Sequence, residues 1–358
     1  MSAPQMLLTG TGTIGRETLA ALLRSTGARV AVLMRHRARR PVAMRAAALF
    51  DALGLAREER ARVEVLRGDV TLPALGLDGV TQARLAESLE VIVHTAAATS
   101  LMADRALCDA VNRGGTANAL MLAERCFSAG HLARFVHFST ALVTGGDSRG
   151  RIREDELPVA PVHANNYEWS KYEAERIVRA AMHAGLPVTI VRPSMVVGAG
   201  EYGRGRDLTL LYPLMRVIAS GGVTRLPADP RASVHLAPLG FVVDAVLRAV
   251  AAPWAAGRTF HLTAPNPPTV AQLFACDAFF PVGAPRPRLL APADFDPQAC
   301  SARERDLLAS VACCFPYFNS HRSFELGNTR RLLPLPVTDA AFLSRLGRHA
   351  AGRQAAAG

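Results

Sequence analysis

Lysine is almost absent from this chain. Lysine and arginine together number 41, Lys171 is the only lysine, and the other 40 are therefore arginines. In a chain with this bias, a cation needed only for solubility or a surface ion pair is arginine. A lysine that persists points to a position needing a compact ammonium on a flexible stem rather than a planar guanidinium. Aromatic residues make up only 6%. With the arginines spread along the chain, the net charge of +11 lacks the stacking platforms of a nucleic-acid surface, and no nucleic-acid partner is expected. No uncharged apolar run reaches the roughly 18 residues of a membrane span. The start, Met1-Ser2-Ala3-Pro4-Gln5, lacks the basic region of a signal peptide. The six cysteines form no Cys-x-x-Cys pair, so no metal site is expected. They read as reduced thiols of a cytoplasmic protein.

What is present is a regular alternation of short apolar runs and helical segments. Met6-Leu7-Leu8 reads as a buried strand, and Thr9-Gly10-Thr11-Gly12-Thr13-Ile14-Gly15 as a glycine turn opening a helix. The spacing Gly10-x-Gly12-x-x-Gly15 suits a tight turn and close backbone approach to a pyrophosphate at the helix N-terminus. Further strands are expected at 29–34, 63–66, 90–94, 135–138, 187–191 and 259–262. The spacing gives a Rossmann-type, doubly wound parallel sheet. The second strand runs into Arg35, with Arg37, Arg39 and Arg40 behind it and no Asp or Glu at its end. An acid there would serve the ribose hydroxyl of NAD, whereas arginine suits the 2′-phosphate of NADP, so NADPH is the expected cofactor. The small residues Thr95-Ala96-Ala97 at the end of the fourth strand would let a flat cofactor approach.

Lys171 lies four residues after Tyr167, which puts both on one helix face. A neighbouring cation favours phenolate, so Lys171 is expected to lower the Tyr167 pKa and prepare it for proton transfer. A lone Tyr-x-x-x-Lys is common, and the pair gains meaning only from the company it keeps.

After Gly198 the regularity breaks up in glycines and prolines. The expected division is a cofactor domain over 1–198, to which 239–264 return, and a smaller substrate-binding lid over 199–238 and 265–358. The lid holds Phe274, Phe279, Phe280, Phe295, Phe315, Tyr317 and Phe318, which would line a site for a large apolar substrate.

Several motifs agree on one family. They are the glycine turn, Gly68-Asp69-Val70, Val136-His137-Phe138-Ser139-Thr140, Asn166-Tyr167-Glu168-Trp169-Ser170-Lys171, and Leu186-Pro187-Val188-Thr189-Ile190-Val191-Arg192-Pro193-Ser194. The chain resembles the extended short-chain dehydrogenase/reductases, and within them the fatty acyl-CoA reductase and thioester reductase group, over roughly Leu7 to Leu333. The resemblance implies Tyr167 as proton donor, with Lys171 holding the nicotinamide ribose. It implies Thr140, rather than Ser139, on the substrate oxygen, and Asn112 in the proton relay. Asp69 would meet the adenine and Pro193 the nicotinamide, with Val70 also in the cofactor site.

The implied function is an NADPH-dependent carbonyl reductase acting on a large apolar acyl thioester or polyketide-like ketone, free, carrier-linked or CoA-linked, as a monomer or homodimer. Two other readings stand beside it. A nucleotide-sugar epimerase or dehydratase would retain NAD, against which Arg35 argues. A silent NADPH-binding regulator would have no need of an acid–base pair.

Overall fold

The computed structural model describes residues 3–36, 40–145, 150–198, 211–280 and 283–355. Arg37 and Arg39 of the basic cluster, and 199–210 of the expected lid, lie outside the described residues.

Seven strands form the central sheet among these residues: β1 Met6–Leu8, β2 Val30–Met34, β3 Val63–Arg67, β4 Val91–His94, β5 Arg134–Phe138, β6 Val188–Pro193 and β7 Arg258–Leu262. Their order is β3-β2-β1-β4-β5-β6-β7. Every neighbouring pair is parallel. The strands are nearly continuous apolar runs because both faces are covered. Successive side chains feed opposite cores, as the two-residue period requires. Val30, Val32 and Met34 enter one core with Leu8, Val91, Val93 and Val136. Ala31 and Leu33 enter the other with Leu7, Ile92 and Phe135. The Rossmann-type doubly wound fold read from the sequence is the fold found.

The chain winds outward from β1 in one direction and from β4 in the other. The ends of these two strands therefore flank a crevice at the switch in strand order. Helix α1, Thr13–Ser25, starts directly over it. Helix α2, Gly115–Ser128, is preceded by Arg105–Cys108 and a π-helical turn, Asp109–Gly114. Helix α3, Asn166–His183, carries Tyr167 and Lys171. Helix α4 is Leu239–Ala251.

A third core joins Leu214, Met215, Ile218 and Leu226 to Phe274, Phe279, Phe318 and Leu346 from the C-terminal third. Within 265–358, Leu332 and Leu333 pack instead into the core beneath the sheet.

Candidate active site

The glycine turn connects β1 to α1 across the crevice. A methyl on Gly15 would lie 2.0 Å from the Gly10 carbonyl oxygen, and one on Gly10 2.7 Å from the Ala96 nitrogen. These two glycines are needed for packing of turn, helix and β4. Gly12 differs: a methyl there meets nothing within 4 Å. It is also the N-cap of α1 and contributes no side-chain cap. The first N–H groups of α1, on Thr13, Ile14 and Gly15, thus open toward free space, the arrangement that receives an anionic phosphate. Thr95 bridges the two strand ends by donating to the Gly10 carbonyl at 3.2 Å. The residues present fit a dinucleotide pyrophosphate.

A cavity of about 910 Å³ runs from this turn to α3 and is lined by every expected cofactor residue: Gly10, Gly12, Thr13, Ile14, Gly15, Arg35, Asp69, Val70, Thr95, Ala96, Ala97, Lys171 and Pro193. Val70 is fixed by Asn118, whose amide donates to its carbonyl at 2.8 Å. At the adenosine end the sequence reading needs correcting. No acid follows β2, yet the fold brings the Asp69 carboxylate to 4.0 Å from the Arg35 Nε. One Asp69 oxygen is already committed to the Thr71 N–H and hydroxyl at 3.0 and 2.9 Å. The fold also adds a second cation that the sequence did not signal. Arg45 lines the cavity and donates to the Arg35 carbonyl.

At the other end, Thr140, Tyr167 and Lys171 line the cavity wall. Thr140 lies just past β5, where its hydroxyl accepts from the Leu142 N–H at 3.3 Å, and it lines the same cavity wall as the Tyr167 phenol, whose pKa it pulls down. The Thr140 hydroxyl also lies 3.4 Å from the Pro193 carbonyl, which links the ends of β5 and β6. Ser139 points elsewhere, donating to Glu175 Oε2 at 2.6 Å. Glu175 is fully buried and also receives Arg192 at 2.6 and 3.0 Å and Arg179 at 2.8 Å.

Lys171 is 2% exposed, and its ammonium donates to the Phe138 carbonyl. Burial lowers its pKa to about 8, against the upward pull of Glu175. The expected lowering of the Tyr167 pKa by Lys171 is not found. Burial pushes the phenol up to about 12, and the group that pulls it back is Thr140. The physical reason is that desolvation of the phenolate dominates, and Lys171, turned to the Phe138 carbonyl, is not among the groups that act on it.

Asn112 does not reach the cavity. It is 0% exposed, and both ends of its amide are used inside the fold. Its Oδ1 accepts from the Ala98 N–H at 2.8 Å, and its Nδ2 donates to the Ala98 carbonyl at 3.0 Å and to the Ser170 hydroxyl at 2.8 Å. It sits on the π-helical turn, which no residue pattern announced.

The aromatic lining expected for the lid is also corrected. Of the seven aromatics, Tyr317 alone lines the described cavity. Phe274, Phe279 and Phe318 are buried in the third core, and Phe280, Phe295 and Phe315 pack against it. Large rings bury more apolar area against one another than along an open cleft. The facing wall is mixed instead, with Val311, Cys313, Cys314, Tyr317, Arg322 and Phe324. Arg322 is 5% exposed and donates to the Thr144 hydroxyl at 2.9 Å.

Comparison with known proteins agrees with this geometry. The family model described as male sterility protein, an NAD-binding family, matches residues 8–246. An isonitrile lipopeptide synthase of Streptomyces coeruleorubidus is 29% identical over 65% of the chain, which spans 16% of that protein. A fatty acyl-CoA reductase of Drosophila melanogaster is 25% identical over 72% of the chain and is covered to 55% of its own length. The chain thus spans well under two thirds of these relatives. Among solved structures, the terminal R domain from the myxalamid PKS-NRPS biosynthetic pathway superposes with a TM-score of 0.82 at 26% identity, covering 99% of this chain and 92% of that one. The chain belongs to the male sterility protein family of NAD-binding domains, the thioester reductase-like branch of the extended short-chain dehydrogenase/reductases.

Proposed function

We propose that this chain is an NADPH-dependent reductase of acyl thioesters. The observation that carries the reading is that Thr140, Tyr167 and Lys171 line the same cavity into which the α1 N-terminus opens. The bound nicotinamide cofactor supplies the hydride. The residues of the chain do the rest. The N–H groups of α1 receive the pyrophosphate, and Arg35 with Arg45 receives the 2′-phosphate. Lys171 holds the ribose on the nicotinamide side. Thr140 and Tyr167 converge on the carbonyl oxygen, and Tyr167 gives it a proton as negative charge develops there.

Asn112 acts indirectly, by keeping Ser170 and the Ala98 backbone in place. The third core, 211–236 with much of 265–350, is proposed as the lid over the carbonyl. Its mixed wall suits a thioester with polar groups near the reacting carbon better than a purely apolar ketone. Relatives named as a lipopeptide synthase and a fatty acyl-CoA reductase suggest an acyl group delivered on a carrier or on coenzyme A. Six free thiols fit a reducing compartment, and we place the protein in the cytoplasm.

The test is NADPH oxidation with a panel of acyl N-acetylcysteamine and CoA thioesters beside a panel of ketones. Turnover of thioesters that is abolished by Tyr167→Phe supports the reading. Turnover of ketones alone, or activity that survives Tyr167→Phe, would overturn it.

A further inference from the structure

We propose that Tyr317 is a positioning residue for Tyr167, acting through Asn165 and Glu168 on either side of it. This rests on the reductase reading above and adds a residue from the C-terminal third to that site.

The ring of Tyr317 belongs to the third core and is 6% exposed. Its hydroxyl leaves that core and reaches the first turn of α3. There it donates to Glu168 Oε1 at 2.6 Å and accepts from Asn165 Nδ2 at 2.8 Å. Asn165 is the N-cap of α3, and its other amide atom, Oδ1, accepts from the Glu168 N–H at 3.0 Å. The second carboxylate oxygen of Glu168 reaches back to the Ala164 N–H at 2.9 Å. Glu168 itself is 1% exposed. These bonds close a ring around the backbone of residues 164–168, and Tyr167 lies inside it.

The opposite side of the same peptide is also held. The Tyr167 carbonyl accepts from the Ser170 hydroxyl at 2.9 Å, and Ser170 in turn accepts from Asn112. The catalytic tyrosine is thereby clamped between the π-helical turn and the lid. A phenol has one proton to donate. In Tyr317 that proton is committed to a buried carboxylate, so this hydroxyl cannot serve as a second acid toward the carbonyl. What remains to it is to fix where Tyr167 stands, and small misplacements of a reacting group are costly in rate.

Tyr317→Phe tests this, because it removes one oxygen and keeps the packed ring. The expected result has three parts. Turnover falls about tenfold or more, with NADPH affinity within about twofold of the parent. Amide hydrogen exchange of the segment 164–168, measured on protein without substrate, becomes about tenfold faster. The double variant Tyr317→Phe/Glu168→Ala is little slower than the slower single variant, because the two residues share a bond in one ring and either change opens that ring.

Unchanged exchange would overturn the clamp. Faster exchange with turnover within twofold of the parent would reduce the clamp to a purely structural clasp and overturn its role in positioning. Additive losses in the double variant would separate the two residues and do the same. If the parent reduces no thioester at all, the functional reading fails, and the exchange measurement still decides whether the clamp exists.

Discussion

Ser139 and Thr140 are neighbours in the chain, yet their hydroxyls serve different parts of the molecule. Ser139 donates at 2.6 Å to Glu175, inside a buried ion cluster with Arg192, whereas Thr140 lines the cavity with Tyr167. Extended backbone turns successive side chains to opposite faces, and here one face enters a buried ion cluster and the other the cavity proposed for the reaction. Thr140→Ala should therefore lower turnover by roughly 10²–10³ with little change in melting temperature. Ser139→Ala should do the reverse. It leaves a buried carboxylate one donor short, at a cost of about 1–3 kcal/mol in stability, with turnover nearly kept. Kinetics and thermal melts on both variants read this out, and an exchange of the two phenotypes would place the reactive hydroxyl on Ser139.

The cofactor preference is expected to depend on two arginines rather than one. Arg35 has Asp69 at 4.0 Å, which offsets part of its field, while Arg45 approaches from the helix Val42–Ala52 that follows β2. A charge-assisted hydrogen bond to phosphate contributes about 1.5–3 kcal/mol, so a preference for NADPH over NADH of tenfold or more is expected. Arg35→Ala and Arg45→Ala should each reduce it, and the double variant should bind both cofactors about equally. Asp69→Asn should raise it. Calorimetric titration with the two cofactors checks all four, and equal affinities in the parent would remove the NADPH assignment.

Stability should fall as the solution is acidified below the ordinary histidine range. Burial lowers the pKa of His94 and His261 to about 3 and of His235 to about 4, and holds His137 well below its usual value. A folded-state pKa below the unfolded one means that the unfolded chain binds more protons. Stability is then fully present above about 6.5 and is lost as pH falls toward the folded values, by up to 1.36 kcal/mol per pH unit for each group. Glu154 and Glu168, held above the usual carboxylate range by burial, act in the opposite sense. The comparison that isolates the histidine effect uses His137. Among the described residues neither of its ring nitrogens has a hydrogen-bond partner, and the ring stacks on His94 at 6.0 Å. His137→Phe should keep the packing and make the decline in stability between pH 7 and 5.5 shallower by about one group. Identical slopes in urea denaturation would count against this account.

The sheet was legible because its information is local. Val30 to Met34 is a run of five buried apolar residues, and a parallel strand covered on both faces can hardly be written otherwise. The glycine turn was legible for the same reason, since its requirements lie within six residues. What was not legible depends on contacts across the chain. Tyr317 and Glu168 are 149 positions apart, and nothing in the sequence of either announces the other. Asp69 reaches Arg35 only because β2 and β3 pair in register, Met34 beside Arg67. The lid aromatics misled because a ring that lines a cleft and a ring that fills a core look alike in sequence. The direction of the Tyr167 shift misled because a four-residue spacing puts two side chains on one helix face, but Lys171 turns to the Phe138 carbonyl and burial of the phenol dominates.

That last point sets the expectation for Lys171. Burial brings its pKa to about 8, while the Tyr167 phenol stands near 12. The alkaline limb of the free enzyme's pH profile should then belong to the lysine. As pH rises through about 8 the ammonium loses its proton, and with it the charge proposed to hold the ribose and to stabilise the site as Tyr167 releases its proton. The ratio kcat/KM, which reports groups of the free enzyme, should fall about tenfold per pH unit above that point. Lys171→Arg conserves charge and should still be nearly inactive. The site accepts a compact ammonium that reaches the Phe138 carbonyl, and a longer planar guanidinium cannot fit that buried space without displacing its surroundings. NADPH titration and melting curves on the variant distinguish a lost site from a lost fold. A parent profile that stays flat to pH 10 would assign the limb to Tyr167 instead. A Lys171→Arg enzyme within about threefold of the parent would mean that any cation suffices there, and that the one lysine of this chain has no chemical reason to be one.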